Sequence, residues 1–195
     1  MIPFVGLTGG IGAGKSTALA ALERLGAATL STDQVVHELY ETPDVRAAVQ
    51  ERFGGIVVSG EAVDRSVLAE RAFATPEDRR WLEEMLWPKV GARMFGWREQ
   101  LEQLSPPPRV AIVEVPLLFE SGMEGAFDAT IAVISDEDVR AERASARSHS
   151  ALDERAARQL SQQEKAARAT YVVANDGTVE ELERELSTVL DNLRV

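Results

Sequence analysis

The run Gly9-Gly10-Ile11-Gly12-Ala13-Gly14-Lys15-Ser16 has the residue types and spacing needed to hold the phosphates of a nucleotide. It reads G-x-x-x-x-G-K-S, a complete P-loop. Four glycines let consecutive backbone N–H groups turn inward around an oxyanion with no Cβ in the way. A helix start behind them adds free N–H groups and the positive end of its dipole. Lys15 can then reach the β- and γ-phosphates, and the Ser16 hydroxyl can take a place on Mg²⁺. Gly10, Gly12, Ala13, Gly14, Lys15, Ser16 and Thr17 are therefore the expected nucleotide-holding group, with Ser16 its metal contact. A merely structural glycine turn would need neither Lys15 nor Ser16. Lys15 also excludes a dinucleotide fingerprint begun at Gly10, which requires glycine at position 15.

Two acids and three arginines extend the chemistry. Asp33 follows a short apolar strand, on the edge where an open parallel sheet forms its ligand crevice. A carboxylate there can take the proton of an attacking hydroxyl or hold Mg²⁺ through water. Equally, Thr32 or Asp33 can cap the helix that follows. Glu114 ends another apolar strand, where P-loop proteins place a Walker-B-type acid. Arg140, Arg143 and Arg147 stand at i, i+3 and i+7, one face of one helix. That stripe suits either a lid closing on phosphates or a solvated face paired with Glu142 and its neighbours.

Positioning these groups takes a sheet. Ile2 to Leu7 is an apolar run fit for a buried strand, and Thr17 to Leu25 continues as a helix. Ala28–Ser31, Arg109–Val115, Ala129–Ile134 and Tyr171–Ala174 read as four further strands, with helical patterns between them. The implied fold is α/β, a five-stranded parallel sheet with helices on both faces, of the P-loop NTPase type. Asp33 to Leu104 is too long for one crossover and reads as helical, with Trp81, Leu82, Met85, Leu86, Val90, Met94, Trp97, Leu101 and Leu104 at helical steps. Ser105-Pro106-Pro107-Pro108 closes it. Ser135-Asp136-Glu137-Asp138 looks like a helix start with capping-box spacing. Ser148-His149-Ser150 interrupts the pattern, and a second helix is expected from about Leu152 to Ala169. The expected organisation is a nucleotide-binding core of 1–33, 105–134 and 170–195, a helical acceptor-binding subdomain at 34–104 and a helical lid at 135–169.

Composition narrows the class. An apolar share of 45% and a charged share of 27% are those of an ordinary globular chain. No cysteine is present, which excludes disulfides, thiolate metal sites and thiol nucleophiles. His37 and His149 are too few for a histidine metal cluster. A net charge of −11 argues against nucleic acid or anionic membrane as partner, so the cations must gather where the phosphates go. The N-terminus has no signal-type pattern, and no apolar run approaches membrane-spanning length, so the cytoplasm is the expected location. Oligomeric state is not legible.

From end to end the chain resembles the dephospho-coenzyme A kinase family. The resemblance is carried by Leu7-Thr8-Gly9-Gly10-Ile11-Gly12 running into Gly14-Lys15-Ser16-Thr17, and by Asp33. It continues with Phe53-Gly54, Val63-Asp64-Arg65 before Leu68, Pro116-Leu117-Leu118-Phe119-Glu120, Gln162, Asn175 and Gly177. It implies transfer of the ATP γ-phosphate to the ribose 3′-hydroxyl of dephospho-CoA, the last step of CoA biosynthesis, with Mg²⁺. The resemblance places the general base on Asp33, lid arginines on Arg143 and Arg147, and Asn175 to Gly177 near adenine. It places acceptor contacts on Asp33, Arg65 and Leu117. The chain departs from the family's D-A-D at Ser31-Thr32-Asp33, from His-Pro at Trp87-Pro88, and from Ala-Asp at Ala169-Thr170. Pro88 removes one helical N–H and is expected to bend its helix, turning Trp87 toward the acceptor. Core burial is the other reading of Trp87. The rival functions are another nucleoside or nucleotide kinase, or a nucleotide-dependent regulatory module. A guanine-specific switch would carry N-K-x-D, which Asn175-Asp176-Gly177 is not.

Overall fold

Phe4 to Gly9 is buried at every position, which requires a strand covered on both faces. A computed structural model describes residues 1–60, 62–137, 139–140 and 159–193. In chain order the elements are β1 (Phe4–Gly9), α1 (Lys15–Arg24), β2 (Ala28–Ser31), α2 (Thr32–Glu41), α3 (Pro43–Phe53), β3 (Val58–Ser59) and β4 (Ala62–Val63). Then come α4 (Arg65–Ala72), α5 (Pro76–Glu102), β5 (Ala111–Glu114), β6 (Ala129–Ile134), α6 (Gln162–Arg168), β7 (Tyr171–Ala174) and α7 (Val179–Asn192). The chain divides into two compact units, Met1–Ser31 with Trp97–Val195, and Thr32–Gly96.

The first unit is built on a five-stranded sheet of order β2-β5-β1-β6-β7, with every neighbouring pair parallel. Alternation along β1 sorts the two faces. Val5 and Leu7 join Ile112, Ile131, Val133 and Val173 under α1 and α7, whose Ala18, Ala21, Leu22, Leu182, Leu186 and Leu190 complete that core. Phe4, Gly6 and Thr8 point the other way. Phe4 stacks on Phe127 with ring centroids 4.9 Å apart and lies under the Arg98 guanidinium. A Cβ on Gly6 would come within 2.9 Å of the Phe127 ring, so glycine there lets that ring lie flat on the strand. The five expected strands are all present. β2, β6 and β7 have the expected bounds, whereas β1 begins at Phe4 and continues into the loop as far as Gly9.

Thr32–Gly96 holds α2, α3, α4, most of α5 and a two-stranded antiparallel hairpin, β3–β4. The helical reading of this stretch did not anticipate the hairpin, whose two-residue strands are too short to show alternation. The division falls at Ser31/Thr32 and Gly96/Trp97, whereas the sequence reading placed it at 33/34 and 104/105. Helix α5 runs through the second point and is continuous through Pro88. Within the unit, Trp81 and Phe53 pack in a T with ring centroids 5.5 Å apart, Arg52 pairs with Asp78 at 2.7 Å, and the Asp64 carboxylate caps α4, accepting from Ser66 N and Val67 N.

The helix expected from Leu152 to Ala169 is corrected at its described end. Residues 159–161 are not helical, and α6 starts at Gln162 because Ser161 and Glu164 form a reciprocal capping box. Thr178 and Glu181 do the same for α7. Leu186 is fully buried. Leu186→Ala should cost about 2–5 kcal/mol of unfolding free energy, against about 1 kcal/mol for the exposed cap change Thr178→Ala. Urea titrations of both variants check that ranking.

Candidate active site

The phosphate loop leaves β1 in the middle of the sheet, at the carboxyl ends of the strands, where a parallel sheet opens its crevice. Its glycines are set by local crowding and by backbone sign. A Cβ on Gly9 would stand 2.4 Å from Val133 O on β6, and one on Gly12 would stand 2.5 Å from Arg140 O. Gly12 and Gly14 also have φ of 80° and 86°, the left-handed region that side chains disfavour. Ala13 N donates to Gly10 O at 3.2 Å, closing the turn, and Ala18 N to Gly14 O at 3.0 Å, opening α1.

Lys15 Nζ donates to Gly9 O and Gly10 O at 3.0 and 3.1 Å, curling back over the loop it follows. Ser16 is exposed at the start of α1. Among the described residues no cluster of three or more His, Asp or Glu could cage a metal. Mg²⁺ does not need a cage. It takes few protein ligands and fills its octahedron with substrate phosphate oxygens and water. An exposed hydroxyl beside a phosphate cradle therefore fits Mg²⁺ arriving with a nucleotide.

The expected residues fall as follows. Glu114 ends β5 opposite Leu7 of β1 and Ser31 of β2, and accepts a hydrogen bond from Ser31 Oγ at 3.0 Å. Asp33 lies half-buried in the first turn of α2, and Thr32 before it is already helical. Both residues stand in the first turn of α2. Arg65 opens α4, and its guanidinium meets His37 Nε2 on α2. Leu117 is half-buried, and its carbonyl accepts from Ser121 Oγ at 2.7 Å. Trp87 is 51% exposed, unlike Trp81 on the same helix, which packs on Phe53. Asn175 is buried, and its Nδ2 donates to Ala13 O at 2.9 Å, so its side-chain amide braces the phosphate loop. Gly177 is exposed just before α7. Arg143 and Arg147 lie outside the described residues. Arg140 is described: its backbone and Cγ wall Gly12, and its guanidinium pairs with Glu137 at 2.8 Å. Arg140 N donates to Asp136 O, which puts Ser135 one residue ahead of the helical turn it was expected to cap.

Two departures from the family pattern have local explanations. Ser31 presents a hydroxyl donor to Glu114, where an acid would add a like charge. Thr170 Oγ1 accepts from Thr130 N at 3.0 Å while Thr130 Oγ1 accepts from Thr170 N at 3.0 Å, a reciprocal clasp at the head of β6 and β7. Threonine keeps the acceptor that a carboxylate would offer there.

The model of the dephospho-CoA kinase family matches residues 3–181. The chain belongs to that family. A dephospho-CoA kinase of Deinococcus radiodurans is 38% identical over 98% of this chain and 92% of its own length. One of Thermus thermophilus is 36% identical over 97% and 91%. A crystal structure from Thermus thermophilus superposes with a TM-score of 0.78 at 34% identity, covering 100% of this chain and 99% of that one. The dephospho-CoA kinase from Campylobacter jejuni has the same fold, with a TM-score of 0.71 at 23% identity over 96% and 95%.

One buried residue outside the family motifs, Lys165, was not singled out in the sequence. Glu120, the last residue of Pro116-Leu117-Leu118-Phe119-Glu120, pairs at 2.9 Å with Lys165, whose side chain is wholly buried. Burial pushes that ammonium below the ordinary lysine range, and Glu120 offsets part of the shift. Only the i, i+3 spacing from Gln162 hinted that Lys165 faces inward.

The glycine geometry separates three substitutions. Gly9→Ala and Gly12→Ala drive a methyl into backbone oxygens and should abolish nucleotide binding. Gly10→Ala meets side-chain atoms at ordinary contact distance, the nearest being Arg140 Nη1 at 3.4 Å and Gln162 Cγ at 3.5 Å. It should keep the fold and ADP affinity within about tenfold, which is about 1.4 kcal/mol. Calorimetric ADP titrations of the three variants test this order.

Proposed function

We propose that the chain transfers the γ-phosphate of ATP to the ribose 3′-hydroxyl of dephospho-CoA, using Mg²⁺. The observation that carries the reading is a complete phosphate cradle at the head of a parallel sheet, in a chain whose family match spans residues 3–181. On ATP binding, Lys15 exchanges the Gly9 and Gly10 carbonyls for β- and γ-phosphate oxygens. The loop amides hold the β-phosphate against the start of α1. The Ser16 hydroxyl would hold Mg²⁺, with Glu114 acting through water, and the ion would supply positive charge to the phosphate oxygens. Asp33 orients the 3′-hydroxyl and takes its proton as that oxygen bonds to the γ-phosphorus. The bond to the β-phosphate oxygen breaks, and ADP leaves. Thr32–Gly96 serves as the acceptor-binding unit, with contacts from Arg65 and the exposed Trp87, and Leu117 adds a contact from the core. The segment 135–169 serves as a lid, and its Arg143 and Arg147 neutralise the charge that spreads over the transferring group. Asn175 contributes through Ala13 of the loop, and Gly177 lies beside the adenine.

ADP release should depend on dephospho-CoA, with CoA appearing by mass. Nucleosides and nucleotides run in parallel test the kinase alternative. Asp33→Asn should lower turnover by about 10²–10⁴ and leave ATP affinity near wild type. The low end is expected, because a loose transition state asks little of its base. Unchanged turnover in Asp33→Asn would pass the role to Glu114.

Trp87 offers a second check. Its exposure leaves the indole free to stack on a base or cover the pantetheine arm. Trp87→Leu should raise the dephospho-CoA KM and spare the ATP KM and the Tm, as expected for a side chain half in solvent. A fall in Tm with an unchanged acceptor KM would return Trp87 to packing.

A further inference from the structure

Lys165 is a buried cation to which the proposed chemistry assigns no role. Its ammonium has three protons and three acceptors: Thr8 Oγ1 at 3.2 Å, Pro116 O at 2.9 Å, and the Glu120 carboxylate at 2.9 Å. Each acceptor belongs to a different part of the site. Thr8 is the last residue of β1 before the glycines, and its own hydroxyl donates to Pro116 O at 3.3 Å. Pro116 follows the tip of β5, two residues after Glu114. Glu120 closes the Pro116–Glu120 turn and also accepts from Leu160 N at 2.8 Å, on the segment leading into α6. One turn earlier on the same helix face, Gln162 pairs twice with the Ser135 backbone, from Ser135 N at 2.9 Å and to Ser135 O at 2.8 Å. The inner face of α6 is thus fastened to the carboxyl ends of β1 and β6 and to the turn after β5.

Filling this volume does not require a charge. A methionine would pack the same space without the desolvation cost of an ammonium, and buried ion pairs are often replaceable by apolar groups without loss of stability. What the cation supplies is direction, three hydrogen bonds that fix Thr8 relative to the turn beyond Glu114.

We propose that Lys165 is a positioning residue for phosphoryl transfer: its ammonium fixes the entry of the phosphate loop at Thr8 to the Pro116–Glu120 turn, and so sets the aim of the loop amides relative to Glu114. This rests on the phosphotransfer reading above. The Lys165 side chain has no exposed surface to offer a nucleotide or acceptor, and it acts through Thr8 and Pro116. Without it the sheet persists but the Thr8–Gly10 segment drifts, and a misplacement of about 1 Å at a reacting centre can cost about 10²-fold in rate.

The test compares Lys165→Met, the pair Lys165→Met with Glu120→Gln, and Thr8→Val by Tm, kcat, dephospho-CoA KM and calorimetric ADP affinity. Lys165→Met alone strands the Glu120 carboxylate and should lose both Tm and rate. The double variant removes the stranded charge and should regain Tm. Its kcat should stay about 10- to 100-fold low, its ADP affinity should fall by a smaller factor, and its dephospho-CoA KM should be unchanged. Thr8→Val keeps the shape but leaves one Lys165 proton unpaired, so it should lower the Tm modestly and lose part of the rate. Wild-type kcat and ADP affinity in the double variant overturn the proposal. Should that variant fail to fold, wild-type values in Thr8→Val overturn it. A wild-type chain that binds ADP but shows no acceptor-dependent turnover would sink the proposed reaction alone, because the ADP titrations still read Lys165.

Discussion

A phosphate cradle made of backbone amides works only if the backbone carrying it cannot move. The amides have no side chain to adjust their aim, so their directions are those of the peptide planes, fixed by whatever packs around them. Everything near the glycine loop meets this demand. Gly9 has no Cβ because β6 passes 2.4 Å from where one would be. Gly12 and Gly14 turn left-handed to bring successive N–H groups to the same side. Asn175 holds Ala13 from behind, and Lys15 holds Gly9 and Gly10 from the front. The sheet order puts this loop on the middle strand, with neighbours on both sides to brace it.

Much of this was legible in the sequence because the signals are local. The P-loop is contiguous, and fully apolar runs such as Ala129–Ile134 leave few alternatives to a buried parallel strand. The β3–β4 hairpin was missed because two residues per strand give no period to read. The start of α6 was overrun because a helical pattern drew more weight than the Ser161-x-x-Glu164 start signal within it. Unit boundaries were displaced because α5 crosses one of them, and a hydrophobic period does not change where a helix passes from one core to another. Lys165 was invisible for a deeper reason. Burial of a charge is decided by acceptors that lie 45 to 157 residues away in the chain.

Charge is handled locally in this acidic chain. Glu114 faces a serine hydroxyl, and Glu120 faces a lysine, so each of these two carboxylates has a donor. A carboxylate without a donor beside the loop would repel the phosphates and compete with them for Mg²⁺. The net charge of −11 therefore says little about the crevice, where these two carboxylates each meet a donor.

The 27-residue α5 has one more consequence. Thr32–Gly96 is entered directly from β2, with no residue between strand and helix, and left inside the last two turns of α5. Neither junction is a linker. A chimaera that exchanged this unit between relatives would have to splice inside a helix, matching its rotational phase of 100° per residue on both sides of the cut. A one-residue error at Gly96/Trp97 would turn Trp97 and Leu101 off their faces. Insertions and deletions in this family should thus be rare in that helix and concentrate in the turns, and the unit should evolve as part of the kinase rather than as a cassette that moves between folds.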